Sequence, residues 1–308
     1  MKNITEAYYI IKPLIPRRLQ LLIRRLIVKR MRIKYANLWP IDERASKKPL
    51  NWKGWPEGKK FALVLTHDVE MIKGHDRCME LMLLEEALGF HSSFNFVPER
   101  YMVSPDLRYL LQERNFEVGV HGLLHDGKYY GSREIFRERA EKINNYFREW
   151  KAVGYRAPSM LHKLDWFHDL KIEYDASTFD TDPFEPHSDG METIFPFLVQ
   201  GKDGSRGYVE LPYTLPQDHA LFVIMQERTI DIWKRKLDWV AQNGGMALVI
   251  IHPDYINFTN ATCGLEEYPA TLYREFLEYV KSRYEGQYWH VLPKEMAKFW
   301  LTQYGKGT

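Results

Sequence analysis

The sequence has few of the features that mark secreted or membrane-spanning proteins. Only two of its 308 residues are cysteines, Cys78 and Cys263, which excludes a disulfide scaffold and predicts reduced thiols in a cytosolic protein. It contains no run of about 18 uncharged apolar residues, so no membrane-spanning helix is predicted. A signal peptide is not predicted either, because Arg24 and Arg25 interrupt the first apolar run and no small-residue cleavage site follows.

Internal repeats, low-complexity stretches and long Gly-, Ser- or Pro-rich linkers are also absent. Hydrophobic residues make up 45% of the chain, which is enough to bury a full core. We therefore predict a basic amphipathic extension over residues 1–57 and a single large domain over residues 58–308.

Basic residues are concentrated near the N-terminus. Residues 1–34 hold ten of the 43 lysines and arginines but one of the 41 acidic residues, which leaves the remainder with a formal charge of −7. Apolar residues recur at helical spacing between these cations: Leu19, Leu22, Ile23, Leu26 and Ile27. The pattern predicts an amphipathic helix.

Two interpretations of this basic helix stay open. It either lies on an anionic membrane surface, as in a cytoplasmic protein held peripherally at the inner membrane face, or packs on the acidic body or a partner. Nucleic acid is not an expected partner, because the body is acidic and has no recognition motif. No pattern in the sequence indicates an oligomeric state.

From about residue 58, short apolar runs alternate with amphipathic segments. The predicted strands are 61–66, 92–97, 116–121, 153–156, 172–176, 208–212 and 246–251. The predicted helices are 76–89, 105–114, 132–150, 229–242, 269–284 and 292–304. About seven strand–helix units predict an α/β fold and fit a (β/α) barrel, complete or incomplete, with a basic helical extension, better than a doubly wound sheet. No glycine-rich phosphate loop follows the first strand, so nucleotide-binding folds are set aside.

Five predicted strands end in reactive side chains. In chain order these are His67, Asp68 and Glu70; His121, with His125 one helical turn later; Arg156; Asp175; and His252. Singly, each has an ordinary explanation, since an Asp after a strand is often a turn former and a His pair arises by chance. The carboxyl ends of barrel strands gather at one mouth, so the five together predict a single site. His67 is predicted only to pack or to support its neighbours.

The same stretches carry a family resemblance. Over about residues 60–255, THDVE, HGLLH, RAP, YDASTFD and IIHP resemble, in order, the motifs of the polysaccharide deacetylase family, the NodB homology domain of carbohydrate esterase family 4. HGLLHDGK, STFDTDPFEP and ELPYTLPQD are also similar to a branch linked to bacterial surface-glycan synthesis. The resemblance implies a distorted, incomplete barrel that holds a metal-dependent hydrolase.

The resemblance also implies roles for individual residues. Glu70, His121 and His125 match the metal-binding carboxylate and histidines of the family. Asp68 matches the general base, which takes a proton from the attacking water, and Arg156 matches the arginine that tethers this base and keeps it ionised.

On the other side of the implied site, His252 matches the general acid that protonates the leaving amine. The backbone amide of Ser159 matches a donor to the oxyanion. Asp175 or Asp180 should hold His252 in its tautomer, and Asp182 is a third candidate for this place.

One position departs from the family pattern. Asp-x-Asp is common in the family, whereas this chain has Asp68-Val69-Glu70. The longer glutamate either still binds the metal, lowers its affinity, changes the preferred metal, or leaves Asp68 as the ligand. Two imidazoles and a carboxylate predict Zn²⁺ first, with Co²⁺, Ni²⁺ and Mn²⁺ as alternatives.

The expected substrate is an N-acylated, chiefly N-acetylated, sugar of a surface polysaccharide or of its nucleotide- or lipid-linked precursor. Four aromatic residues near the presumed mouth either stack on sugar faces or pack in the core: Tyr155, Phe179, Phe184 and Tyr213. Three alternatives are kept: deformylation of a formamido sugar on a polyprenyl carrier, metal-independent amide hydrolysis, and a catalytically weakened glycan-binding or membrane-docked scaffold.

Overall fold

The computed structural model describes residues 16–126, 131–185, 187, 189–201, 207–259 and 261–305. The helices are α1 (Arg17–Lys34), α2 (Ile72–Leu88), α3 (Pro105–Glu113), α4 (Arg133–Trp150), α5 (Asp231–Asn243), α6 (Ala270–Tyr284) and α7 (Pro293–Tyr304). The first 15 residues of the predicted arm, and Gly127 and Lys128 of HGLLHDGK, lie outside the described residues.

Strands alternate with these helices along most of the chain. They are β1 (Phe61–Val69), β2 (Ser93–Phe96), β3 (Glu117–His121), β4 (Gly154–Arg156), β5 (Tyr174–Asp175), β6 (Phe197–Val199), β7 (Tyr208–Glu210), β8 (Met246–Ile251), β9 (Ile256–Asn257), β10 (Tyr268–Pro269) and β11 (Tyr288–His290). All seven predicted strands and all six helices predicted after residue 58 are present, with shifts at their ends.

Nine strands form one curled sheet, in which β1 is central. On one side β1 pairs with β8, and on the other with β11 along its first residues and with β2 along its last. The sheet continues from β2 through β3, β4, β5 and β7 to β6, and every pair is parallel except β6–β7. This is the incomplete (β/α) barrel predicted from the sequence.

The open side of the barrel lies between β8 and the segment that follows β7. There the amides of Thr214 and Leu215 both donate to the carbonyl oxygen of Leu248, at 3.1 and 3.2 Å. Within the described part of the chain, this contact takes the place of a regular strand ladder. The sheet therefore curls far enough to bring the carboxyl ends of β1, β3, β4 and β8 around one mouth.

Alternation along β1 separates the reactive residues onto two faces. All nine residues of β1 are buried, as expected for a parallel strand covered on both sides. Thr66 and Asp68 point into the barrel, whereas His67 points outward and its Nε2 lies 2.9 Å from Glu85 Oε1 on α2. The Tyr273 hydroxyl donates to the same Glu85 carboxylate. His67 therefore supports the packing of α2 and α6.

Part of the predicted extension belongs to the core of the body. Ala45 and Trp55 are buried, the Trp55 indole donates to the carbonyl oxygen of Gly244 at 2.8 Å, and the Ala45 carbonyl accepts from the Ile194 amide at 3.1 Å. Before this segment, α1 lies against the body through Leu21 and Val28. None of the described helices combines the length and hydropathy that crossing a bilayer would require.

Candidate metal centre

Three predicted metal ligands lie together at the mouth of the barrel. Glu70 directly follows β1, His121 is the last residue of β3, and His125 lies four residues later. One ligand atom from each side chain lies within 4.8 Å of the other two. Asp68 is not a member of this cluster, so the described residues place the glutamate, and not Asp68, with the histidines.

The hydrogen bonds of the histidines fit a metal ion. His121 Nδ1 lies 3.1 Å from the Arg156 carbonyl oxygen, which can only accept, so Nδ1 carries the proton and Nε2 keeps its lone pair. Nε2 of His121 is buried and has no hydrogen-bond partner among the described residues. His125 Nε2 lies 3.1 Å from Glu70 Oε1 but outside hydrogen-bond geometry. These orphaned buried atoms are what a third, shared partner would satisfy.

The charge states of His121 and Glu70 also suit a cation, whereas for His125 burial lowers the pKa and the nearby Glu70 carboxylate raises it, with a net rise. Burial lowers the pKa of His121 to about 4, so this imidazole is neutral at physiological pH. Burial raises the pKa of Glu70, but the imidazoles of His125, His252 and His121 together outweigh burial and hold this pKa well below its ordinary value. A neutral imidazole and an ionised carboxylate are the forms that bind Zn²⁺.

The two histidines do not share a helix, contrary to the expected helical spacing. His121 ends β3, and the following turn has positive φ at Gly122 (+64°) and at His125 (+54°). A Cβ atom on Gly122 would lie 2.4 Å from Pro158 Cγ, so only glycine lets this turn approach the RAP turn. The close approach brings both imidazole rings to a centroid distance of 5.0 Å.

We expect Gly122→Ala to destabilise the protein more than Gly89→Ala. Both glycines have positive φ, and alanine costs about 1–2 kcal/mol there. At Gly89 the nearest atom to a Cβ is Lys281 Nζ at 3.8 Å, so only this conformational cost applies. At Gly122 the overlap with Pro158 adds about 1–3 kcal/mol. Urea unfolding of both variants measures the difference, and equal free energies of unfolding would contradict the close contact.

Glu70 is held in place by residues that follow the last predicted motif. The Asp254 carboxylate accepts from the amides of Glu70 and Met71, both at 2.9 Å, and from the Gly74 amide at 3.2 Å. The Tyr255 hydroxyl donates to Glu70 Oε2 at 3.0 Å. The metal-binding carboxylate is thus fixed at its backbone and at its side chain.

The predicted base, Asp68, lies beside its predicted tether. Asp68 Oδ2 is 3.6 Å from Arg156 Nη1, and Oδ1 accepts from Asn95 Nδ2 at 3.1 Å. Burial raises the pKa of Asp68, but the charges of Arg156, His121 and His252 and the Asn95 hydrogen bond together outweigh burial and hold the pKa below its ordinary value. Arg156 is itself anchored by Thr66, whose Oγ1 accepts from Nη2 at 3.1 Å.

The predicted acid, His252, is held by Asp218 and not by any of the three predicted aspartates. His252 Nδ1 lies 2.6 Å from Asp218 Oδ1, and the His252 amide donates to Asp218 Oδ2 at 2.9 Å. Since a carboxylate accepts, Nδ1 carries a proton and Nε2 faces the metal ligands, 3.9 Å from Glu70 Oε1. Burial lowers the pKa of His252, but Asp218, Glu70 and Asp68 together outweigh this effect and raise the pKa to about 10.

The three predicted aspartates have other partners, so the prediction that one of them holds His252 is wrong. Asp175 accepts from the amide and hydroxyl of Ser177, at 3.1 and 2.6 Å. Asp180 forms a buried ion pair with Lys236 at 2.5 Å. Asp182 accepts from the Tyr213 hydroxyl at 3.2 Å. All three lie on or after β5, whereas His252 follows β8 and is reached from the Asp218 loop.

Two further predictions concern the rim of the site. Ser159 is exposed and follows Pro158 in a tight turn with φ of +56°, and its role as an oxyanion donor stays a prediction. Of the four aromatic residues, Tyr155, Phe179 and Tyr213 are fully buried and pack in the core. Phe184 is half-buried and contacts the Trp39 ring at a centroid distance of 4.9 Å.

Comparisons with known proteins show where this architecture recurs. No protein-family model matches the sequence, and no curated protein sequence matches it. Among solved structures, the chain is similar to a proposed polysaccharide deacetylase from Mycobacterium smegmatis, with a TM-score of 0.61, 18% identity, and 83% of this chain and 95% of that one covered. It is similar to a probable polysaccharide deacetylase from Pseudomonas aeruginosa PAO1, with a TM-score of 0.64, 14% identity, and coverage of 87% and 100%.

The chain has the polysaccharide deacetylase fold. It is also similar to Puue allantoinase, with a TM-score of 0.65, 14% identity, and coverage of 88% of this chain and 100% of that one. At these identities the likeness concerns the fold alone, and the activity has to be argued from the site.

Within this deacetylase fold, three positioning residues were missed by sequence reasoning: Asp218, Asp254 and Tyr255. Asp254 and Tyr255 directly follow the HP motif, so the stretch HPDY contained the missing signal. Asp218 lies in the quoted segment ELPYTLPQD, but no apolar run leads to it, and a lone aspartate after proline is typical of an ordinary turn.

Proposed function

We propose that this protein is a metal-dependent hydrolase that removes an N-acyl group, in the first instance N-acetyl, from a sugar of a surface polysaccharide or of its nucleotide- or lipid-linked precursor. One observation carries the proposal: Glu70, His121 and His125 converge within 4.8 Å of one another, and the His252 Nε2 atom lies 3.9 Å from Glu70 Oε1. Amide hydrolysis needs a base for the water and an acid for the leaving nitrogen on opposite sides of the carbonyl group. The names of the two similar deacetylases support a sugar substrate.

The metal in this proposal is Zn²⁺ held by Glu70, His121 and His125, since two imidazoles and one carboxylate are a common catalytic zinc set. When bound, such an ion polarises the amide carbonyl and lowers the pKa of water. Tyr255 and Asp254 fix the glutamate, and the Arg156 carbonyl fixes the tautomer of His121. Outer hydrogen bonds of this kind tune metal affinity by about 10–100-fold.

Asp68 takes the proton of the attacking water, whose oxygen forms the new bond to the carbonyl carbon. The carboxylate is suited to this step because Arg156 keeps it ionised and Asn95 orients one of its oxygens. The Ser159 amide is assigned to the oxygen that becomes negative during the attack.

His252 then gives the proton on Nε2 to the amide nitrogen as the carbon–nitrogen bond breaks. The products are an amino sugar and a carboxylic acid. Asp218 holds the imidazole with Nε2 toward the metal ligands and stabilises its positive charge.

The test combines metal analysis with acyl release. We expect protein purified without chelator to hold about one metal ion, and to release acetate from N-acetylated sugar donors. Chelation should abolish release, and added zinc or cobalt should restore it. If the protein releases formate from N-formylated donors but no acetate from N-acetylated ones, the acyl group in the proposal is formyl and not acetyl. Protein that holds no metal and gains no activity with zinc or cobalt would contradict the proposal.

A further inference from the structure

Helix α1 has two apolar faces, and among the residues that the structure describes the body covers one of them. Leu21 and Val28 on the inner face are buried against the short π-helix at His219–Ile224. The guanidinium of Arg25 donates to the Val223 carbonyl oxygen of that helix, at 2.9 and 3.2 Å. At the two ends, α1 is paired through Arg17 with Glu266 and through Arg32 with Glu227. The inner face is therefore a fixed attachment.

The outer face carries a row of exposed aliphatic residues. Leu19, Leu22, Leu26 and Ile33 recur at intervals of three, four and seven, and their exposed fractions are 46%, 53%, 56% and 77%. Single exposed leucines are ordinary, but several exposed aliphatic residues on one helix face, with the cations Lys29 and Arg30 between Leu26 and Ile33, are typical of an amphipathic docking surface. We call this row the outer stripe.

The charges beside the outer stripe select its partner. Four exposed cations lie among or next to these residues: Arg18, Lys29, Arg30 and Lys34. Residues 17–34 contain no acidic side chain. A second copy of α1 would bring like charges together, whereas an anionic lipid surface accepts both the aliphatic row and the cations.

The inner face of α1, opposite the outer stripe, lies close to the candidate metal centre. The π-helix beneath α1 begins directly after Asp218, the residue that holds His252. Its first residue, His219, lies 4.7 Å from the Tyr255 ring, measured between centroids, and Tyr255 bonds to Glu70. Burial and the nearby Arg24 charge hold the pKa of His219 well below its ordinary value. One short helix thus separates the helix that carries the stripe from the catalytic side chains.

We propose that the outer stripe docks this protein on an anionic bilayer and places the candidate metal centre next to the membrane, where the substrate is an N-acyl sugar on a lipid carrier. The docking part stands on α1 alone. The assignment of the substrate rests on the proposed function, and it restricts the N-acylated sugars named there to those on a lipid carrier.

The experiment compares two double variants of the full chain. Leu22→Glu/Leu26→Glu places two carboxylates in the outer stripe, and the control Met79→Glu/Leu83→Glu places two at the same spacing on α2, where the exposed fractions are 48% and 46%. Binding is measured by sedimentation with phosphatidylcholine vesicles, with and without phosphatidylglycerol. We expect the stripe variant to bind anionic vesicles at least about tenfold more weakly than the wild type, and the control to match the wild type. High salt should weaken wild-type binding.

Equal vesicle binding by both variants, or binding that ignores phosphatidylglycerol, would overturn the docking proposal. The docking proposal would also be overturned if light scattering showed that the stripe variant dissociates a dimer and its vesicle binding stayed at the wild-type level. The substrate part is tested on a lipid-linked N-acetyl sugar in the same vesicles and on its water-soluble short-chain analogue. The stripe variant should hydrolyse the lipid-linked sugar at least about tenfold more slowly than the wild type, and should hydrolyse the water-soluble analogue at the wild-type rate. Absence of hydrolysis on both by the zinc-loaded wild type would instead refute the proposed function and leave docking intact.

Discussion

Replacing Asp68 with asparagine is expected to lower kcat for acyl release by about 10²–10⁴-fold, which is the contribution of a positioned general base. The amide oxygen preserves the contact with Asn95, but a neutral amide cannot take a proton from water. The metal content should stay at the wild-type level, because Asp68 is outside the cluster of Glu70, His121 and His125.

Asp76→Asn is the matched control, since it makes the same change at an exposed aspartate on α2. It should leave both kcat and metal content unchanged. If Asp68→Asn loses its metal together with its activity, then Asp68 is a ligand and the departure at Glu70 has displaced the base. Metal analysis of the variant therefore decides between the two roles that the sequence left open.

Replacing Asp218 with asparagine is expected to lower kcat by a similar 10²–10⁴-fold, about what a general acid contributes, and to move the alkaline limb of the pH–rate profile to lower pH. The pKa of His252 is raised to about 10 against the effect of burial, chiefly by Asp218 and also by Glu70 and Asp68, and the acid works only while protonated. Activity should therefore fall as the pH rises through the pKa of His252. Without the carboxylate this pKa drops, so the fall begins at lower pH.

The control for this second variant is Asp182→Asn. Asp182 was a candidate for the same place, and burial beside Glu185 raises its pKa to about 7, so the amide resembles its neutral form. The pH–rate profile of this control should keep the alkaline limb of the wild type. A shift of that limb in Asp182→Asn, with none in Asp218→Asn, would contradict the hydrogen bonds that hold His252.

The sequence predicted the barrel strands well, because they are apolar runs that end in polar residues. The first residues of α2 were missed, since the predicted start was 76 and the helix begins at Ile72. The reason is physical: Met71 at the N-cap has no capping side chain, and the cap comes from Asp254, 180 residues beyond Gly74. Local sequence carries no signal of a cap supplied from such a distance.

The site shows the same division between local and distant contacts. Ligands at strand ends were predictable, since strand ends share a mouth by topology. The contact of Asp218 with His252 was not predictable, because it depends on how a loop folds back onto the barrel. The geometry of the turn between His121 and His125 was not predictable either, because it depends on left-handed backbone at Gly122 and His125. The N-terminal arm is a third example. Its sequence pattern fitted both a membrane surface and the protein body as the partner of the helix, because α1 has an inner and an outer apolar face.

The contact of Asp254 has a consequence for any attempt to redesign this protein. Asp254 is two residues after His252, and its carboxylate grips the backbone that carries Glu70. The loop that carries the acid, His252, and the loop that carries the ligand, Glu70, are therefore held in a fixed relative position, although they are distant in the sequence. Replacing either loop alone with that of a related barrel would remove these hydrogen bonds and displace Glu70. Both loops therefore have to be exchanged together. Gly74 has to be kept, because a Cβ atom there would lie 2.3 Å from Asp254 Oδ2.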